Sequence, residues 1–185
     1  VHCGIASGWN GYQATLLLGM RIGPYLLPTA QSNPKAHNPF LEFVTLYQYD
    51  AVGFVKDVLG MDGRDADHTI DPWQEEVLLG VSKGERRISI RSGHGVGKTA
   101  LRAWIIVWYL CTRFPQKTVA TAPTGKQLYD ALFAETVMWL RQLPPHLFAL
   151  FEIKAEEINL KEAPKESFAS FRTSRLETPE ALAGV

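Results

Sequence analysis

Between residues 40 and 59 the apolar side chains share one helical face. Phe40, Phe43, Val44, Tyr47, Ala51, Phe54, Val55 and Val58 recur at intervals of three and four, while Glu42, Asp50, Lys56 and Asp57 fall away from them. The spacing predicts a helix packed on a neighbour. Residues 61–68 then form an acidic, glycine-containing loop. A second helix is predicted from Asp71, with Asp71 as N-cap, Pro72 in the first helical position, and Glu75 and Glu76 in the first turn, where they complement the helix dipole. Residues 87–91 (RISIR) alternate polar and apolar and read as a strand that ends at a glycine-rich stretch. Residues 98–111 are apolar nearly all round beyond their first turn, the mark of a helix buried against a sheet. Residues 118–122 (TVATA) read as a second short strand, ended by Pro123. Thr124 is then placed to cap a helix over residues 125–143, in which Leu128, Leu132, Phe133, Trp139 and Leu140 make a broad apolar face opposite Asp130 and Arg141. Strand, loop, helix, strand, helix is the order of an α/β domain with a parallel sheet flanked by helices. Residues 151–158 and 167–173 are predicted as further strands, joined by the charged residues 161–166.

Composition narrows the class. With 46% apolar residues and 11% aromatics in 185 residues, the chain can bury a core of its own, which excludes a largely disordered protein. The 19 basic and 19 acidic side chains cancel, so total charge names no partner. Their distribution says more: residues 83–126 hold nine Lys and Arg against Glu85 alone, a stretch that attracts phosphates or solvates the flanks of buried strands. Cys3 and Cys111 lie far apart, and Cys111 sits in an apolar run, so a reducing cytoplasm is expected and a structural disulfide is not. The apolar run at residues 14–20 is too short to span a bilayer, so no membrane partner is expected. Residues 1–19 show no clean period, and Met20 followed by Arg21 is an alternative start to Val1. Residues 31–38 (QSNPKAHN) read as a linker. The expected organisation is a poorly structured segment and linker over 1–38, in which residues 1–19 are alternatively a docking arm for a partner, and one domain over 39–185. That domain divides into a helical lead-in at 39–70 and a core at 71–185.

The chemistry concentrates in Ser92, Gly93, His94, Gly95, Val96, Gly97, Lys98 and Thr99, between a predicted strand and a predicted helix. Gly97, Lys98 and Thr99 meet the end of the phosphate-loop pattern G-x-x-x-x-G-K-S/T; its first glycine is Ser92 here, with Gly93 beside it. Glycines let backbone N–H groups turn inward around phosphates, and the following helix N-terminus adds partial positive charge. In that role Lys98 neutralises the β- and γ-phosphates of ATP and the Thr99 hydroxyl ligates Mg²⁺, the two side chains from which catalysis is expected. The bland alternative is a glycine-rich turn that binds nothing. Upstream, the Gln74 amide offers the donor and acceptor that reading an adenine edge requires. Asp71 and Gln74 equally match a capping box, which needs no ligand. Trp73 suits stacking on a base or anchoring in the core.

With DPWQEEVL, ISIRSGHGVGKTALRAWIIVWYL and TVATAPTGKQLYDALFAE in this order and spacing, the chain from Asp71 onward resembles the N-terminal ATPase domain of phage large terminase subunits. The resemblance implies a P-loop NTPase fold, incomplete here, with a helical N-terminal extension. It implies a Gln74 that contacts adenine, and it makes Thr121, Pro123 and Thr124 candidates for coupling nucleotide state to DNA. It also implies ATP-driven translocation of double-stranded DNA into a procapsid, with a small terminase subunit and a portal protein as partners, homo-oligomerisation in the intact protein, and residence in the host cytoplasm and transiently at the portal. Many terminases carry an arginine four residues before the loop lysine; His94 stands there, so that role is not transferred, while Arg91 lies close in sequence to the loop. Hydrolysis also calls for an acidic residue ending a hydrophobic strand, and no run of four apolar residues followed by Asp-Glu occurs. Residues 178–185 resemble the family segment just before that strand. The expectation is therefore a truncated or split product, without the family's nuclease, that binds nucleotide better than it hydrolyses it. The alternatives are a helicase-like P-loop ATPase of another lineage and a non-catalytic relic or assembly module.

Overall fold

The computed structural model describes residues 21–22, 25–26 and 39–173. A two-residue antiparallel ladder joins β1 (Arg21–Ile22) to β2 (Tyr25–Leu26). The rest of the segment expected to be irregular over 1–38, and the stretch at 178–185, lie outside the described residues.

The single helix expected over 40–59 is two, α1 (Pro39–Tyr47) and α2 (Ala51–Asp57). The break is local chemistry. Asp50 accepts a hydrogen bond from the Gly53 N–H at 2.8 Å, and Ala51 N–H donates to the Ser82 hydroxyl at 2.9 Å, so side chains satisfy the first donors of a new helix. A Cβ on Gly53 would stand 2.3 Å from an Asp50 carboxylate oxygen, so a larger residue there would displace the capping carboxylate. A 3₁₀ turn (Ala66–His68) leads into α3 (Pro72–Ser82), which starts at Asp71 and Pro72 as the sequence predicts. Lys56 and Glu75 pair at 3.0 Å between α2 and α3.

Next come α4 (Lys98–Thr112), β3 (Gln116–Ala122), a π-helical segment (Lys126–Phe133), α5 (Ala134–Leu140), α6 (Pro145–Phe148), β4 (Phe151–Ile153), β5 (Glu157–Leu160) and β6 (Ser167–Thr173). The sheet runs β3-β6-β5-β4 and is mixed, which corrects the expected parallel sheet. β3 and β6 are parallel, from Gln116 opposite Ser167 to Ala122 opposite Thr173; β6, β5 and β4 are antiparallel. Their connections are too short to cross over, and a short connection returns a strand antiparallel. The strand expected at 151–158 is folded into a hairpin, closed by Lys154 N–H to Glu157 C=O at 2.8 Å.

α4 is the centre of the core. Leu101, Trp104, Val107, Trp108 and Leu110 are among its buried side chains, and it packs on α1 and α2, on the π segment and α5, and on β3 and β6. Trp104 meets Trp139 of α5 edge-on at 5.5 Å. Its far end is tied to the α1–α2 turn: Trp108 Nε1–H donates to Tyr47 C=O at 2.7 Å, and the Arg113 guanidinium lies over the Trp108 ring at 4.0 Å while donating to Gln48 C=O at 3.0 Å. Burial pushes the Cys111 thiol far above its ordinary range and leaves it a small core side chain. Among the described residues no helix is long and apolar enough to cross a membrane.

One expected strand has no ladder. In residues 87–91, Ile88 and Ile90 are half-buried against the core while Arg87, Ser89 and Arg91 are exposed, the alternation the sequence displays. No backbone hydrogen bond joins these residues to another segment among the described residues. Alternation reports which side chains are buried, whereas a strand also needs a neighbouring backbone. Amide hydrogen exchange is therefore expected to be orders of magnitude faster at Ile88–Arg91 than at Val119, Ala120 and Ala169. Equal protection at the two places would show that 87–91 is paired after all.

Candidate phosphate-binding loop

Residues 92–97 carry the chain from the extended 87–91 into α4. Gly95 and Gly97 have φ of +76° and +77°, a region that favours glycine, and Gly97 serves as the left-handed residue that starts the helix. A Cβ on Gly93 or Gly95 would meet nothing within 4 Å, so the backbone is open to an approaching group at both positions. At Gly97 the situation is reversed: a Cβ would come within 2.6 Å of Gln74 Nε2.

That contact belongs to an arrangement of which the sequence displays only the Asp71–Gln74 half. Gln74, 4% exposed, accepts the Asp71 N–H through Oε1 at 2.9 Å, the capping-box bond, and donates through Nε2 to Gly97 C=O at 3.2 Å. The same carbonyl accepts Leu101 N–H at 3.1 Å in the first turn of α4. One amide thus fastens the start of α3 to the start of α4. Spacing cannot reveal the second bond, which spans 23 residues.

Lys98 folds back over the loop. Its ammonium donates to the Ser92 hydroxyl at 2.8 Å, to Ser92 C=O at 3.3 Å, and to Gly93 C=O. The helix behind it has no side-chain cap, so its first N–H groups add their dipole to the Lys98 charge at the same place. Thr99 is half-buried in that first turn, and His94, Val96 and Arg91 are exposed. The start of α4 thus brings together a cation, an uncapped helix N-terminus and glycines that leave the backbone accessible, the features that draw an anion. Among the described residues no three His, Cys, Asp or Glu side chains are grouped to hold a metal ion.

Thr121, Pro123 and Thr124 lie at the C-terminal end of β3. Thr121 is opposite Arg172 on β6, and the Thr124 hydroxyl accepts Gln127 N–H at 3.3 Å, the cap the sequence predicts. The helix it caps opens as a π helix, which the sequence reading missed. Its buried Leu128 and Leu132 are four apart, a spacing that an α-helical face shares, so the pattern of apolar residues carries no signal of the wider turn. Within the π segment Tyr129 donates to Phe171 C=O at 3.3 Å, and desolvation, followed by the nearby Glu156 carboxylate, raises its phenol above the ordinary value. No protein-family model and no curated protein matches this chain.

Proposed function

We propose that the loop from Ser92 to Thr99 binds the polyphosphate of ATP together with Mg²⁺, as the nucleotide site of a DNA-packaging motor of the large-terminase kind. The observation that carries this is the Lys98 ammonium, held by loop oxygens directly at the uncapped start of α4. Phosphate oxygens are stronger acceptors than the carbonyls it contacts, and they are drawn to the same point by the helix N–H groups. The residues fit the ligand: Gly93 and Gly95 leave room for it, Lys98 supplies charge, and Thr99 supplies a hydroxyl for the cation. Bound Mg²⁺ would neutralise and orient the phosphates. Ser92, Gly93, His94, Gly95, Val96 and Gly97 shape the cradle, while Lys98 and Thr99 hold the group that reacts.

The resemblance of the chain from Asp71 to Val185 to the large terminase subunits extends the reading from nucleotide to task. Under it, double-stranded DNA, a small terminase subunit and a portal protein are the partners, and the host cytoplasm is the compartment. Thr121, Pro123 and Thr124 would pass nucleotide state toward DNA through the capped π segment, whose form is often found at functional sites.

The test is a thermal melt with and without Mg²⁺-ATP, beside Lys98→Ala. At a ligand concentration about a hundred times Kd, binding to the folded state stabilises it by about 2.7 kcal/mol, and the variant is expected to lose nearly all of that shift while melting like the wild type without ligand. A folded wild type that shows no shift would sink the nucleotide reading. Phosphate release followed in the same samples separates an ATPase from a module that only binds.

A further inference from the structure

We infer that Ser92 is a positioning residue whose hydroxyl competes with phosphate for the Lys98 ammonium, holding the lysine within the loop and yielding it to a ligand. This rests on the phosphate-loop reading above. The pattern G-x-x-x-x-G-K-S/T places a glycine, which has no side chain, where this chain has Ser92, so the hydroxyl contact comes from that departure. An ammonium has three N–H donors. The partners of Lys98 also number three: Ser92 Oγ at 2.8 Å, Ser92 C=O at 3.3 Å, and Gly93 C=O. A phosphate oxygen therefore gains a hydrogen bond from Lys98 only by taking the place of one of them.

Which partner yields follows from how each is held. The two carbonyls belong to the main chain of the loop and keep the ammonium at the start of α4. The hydroxyl belongs to an exposed side chain and leaves by rotation about one bond. A phosphate oxygen, being charged, is the stronger acceptor, so the exchange is favourable. The hydroxyl bond must still be given up, and its loss is subtracted from the affinity. Removing the hydroxyl while leaving the two carbonyls in place therefore tightens binding. A side chain that merely supported the loop would act in the opposite direction, because its loss would loosen the loop and weaken binding.

Isothermal titration of the folded chain with Mg²⁺-ATP tests this, with Ser92→Ala, Ser92→Gly, Ser92→Thr and Lys98→Ala beside the wild type. Alanine and glycine remove the hydroxyl, whereas threonine keeps it. Ser92→Ala and Ser92→Gly are each expected to bind about fivefold more tightly than the wild type, equivalent to about 1 kcal/mol for one hydrogen bond, while Ser92→Thr stays within about twofold of it. Unchanged or weaker binding by both hydroxyl-free variants overturns the inference, as does a Ser92→Thr variant that tightens as much as they do. Should one hydroxyl-free variant fail to fold, the other decides. Binding that disappears with Lys98→Ala but ignores every Ser92 substitution refutes only this inference; no binding of Mg²⁺-ATP by the folded wild type or by Ser92→Gly refutes the nucleotide site with it.

Discussion

Trp108→Ala is expected to destabilise the domain by about 3–5 kcal/mol, enough to remove a large share of the 5–15 kcal/mol typical of a folded domain. Three losses coincide at this side chain. It is fully buried toward the C-terminal end of α4, so alanine leaves a cavity that a close-packed core cannot collapse. Its indole N–H donates to Tyr47 C=O at 2.7 Å, which would lose that partner. The ring also carries the Arg113 guanidinium at 4.0 Å, and Arg113 in turn reaches Gln48 C=O, so the link from α4 to the α1–α2 turn loosens with it. Trp108→Phe separates these terms: it keeps most of the packing and removes the donor, for an expected cost of about 1–2 kcal/mol. Urea denaturation followed by circular dichroism measures both. If the alanine variant came within 1 kcal/mol of wild type, α4 would not be the centre of the core.

The elements most legible in the sequence are those whose evidence is local. α3 begins where Asp71 and Pro72 say it should, because a cap and a first-turn proline act within a few residues. α4 is buried on nearly all sides, as a run apolar all round requires. The glycines of the loop turn out to include two at positive φ, in the stretch the spacing marks. Where pairing decides the outcome, the sequence is weaker. Residues 87–91 have the alternation of a strand and no partner among the described residues, and the single strand expected at 151–158 hides a hairpin whose reversal depends on Lys154 and Glu157 meeting. The break at Asp50 was present in the letters, but its pattern of apolar residues continues smoothly across the break; only the capping bond to Gly53 ends one helix and starts the next. In the site, the loop was legible and its brace was not. Asp71 and Gln74 are three apart and advertise a capping box, whereas the bond from Gln74 to Gly97 exists only because the core brings α3 against the start of α4.

That brace makes the three loop glycines unequal, and Gly97→Ala is expected to be the most damaging change to the loop. Alanine at a φ of +77° costs about 1–2 kcal/mol in backbone strain. Its Cβ, 2.6 Å from Gln74 Nε2, must also push the amide away and break its bond to Gly97 C=O, adding about 1 kcal/mol. The sum, about 2–3 kcal/mol, combines with displacement of the peptide from which Lys98 projects, so affinity for Mg²⁺-ATP is expected to fall more than tenfold. Gly95→Ala shares the backbone strain, at φ +76°, but meets no neighbour, and about 1–2 kcal/mol is expected. Gly93→Ala has neither a positive φ nor a neighbour within 4 Å and should change stability by less than about 0.5 kcal/mol. Denaturation midpoints of the three variants give the order directly. Equal losses at Gly95 and Gly97 would mean that strain alone governs the loop and that Gln74 contributes nothing to holding it; a Gly97→Ala variant as stable as wild type would mean that neither the left-handed turn nor the brace exists in solution.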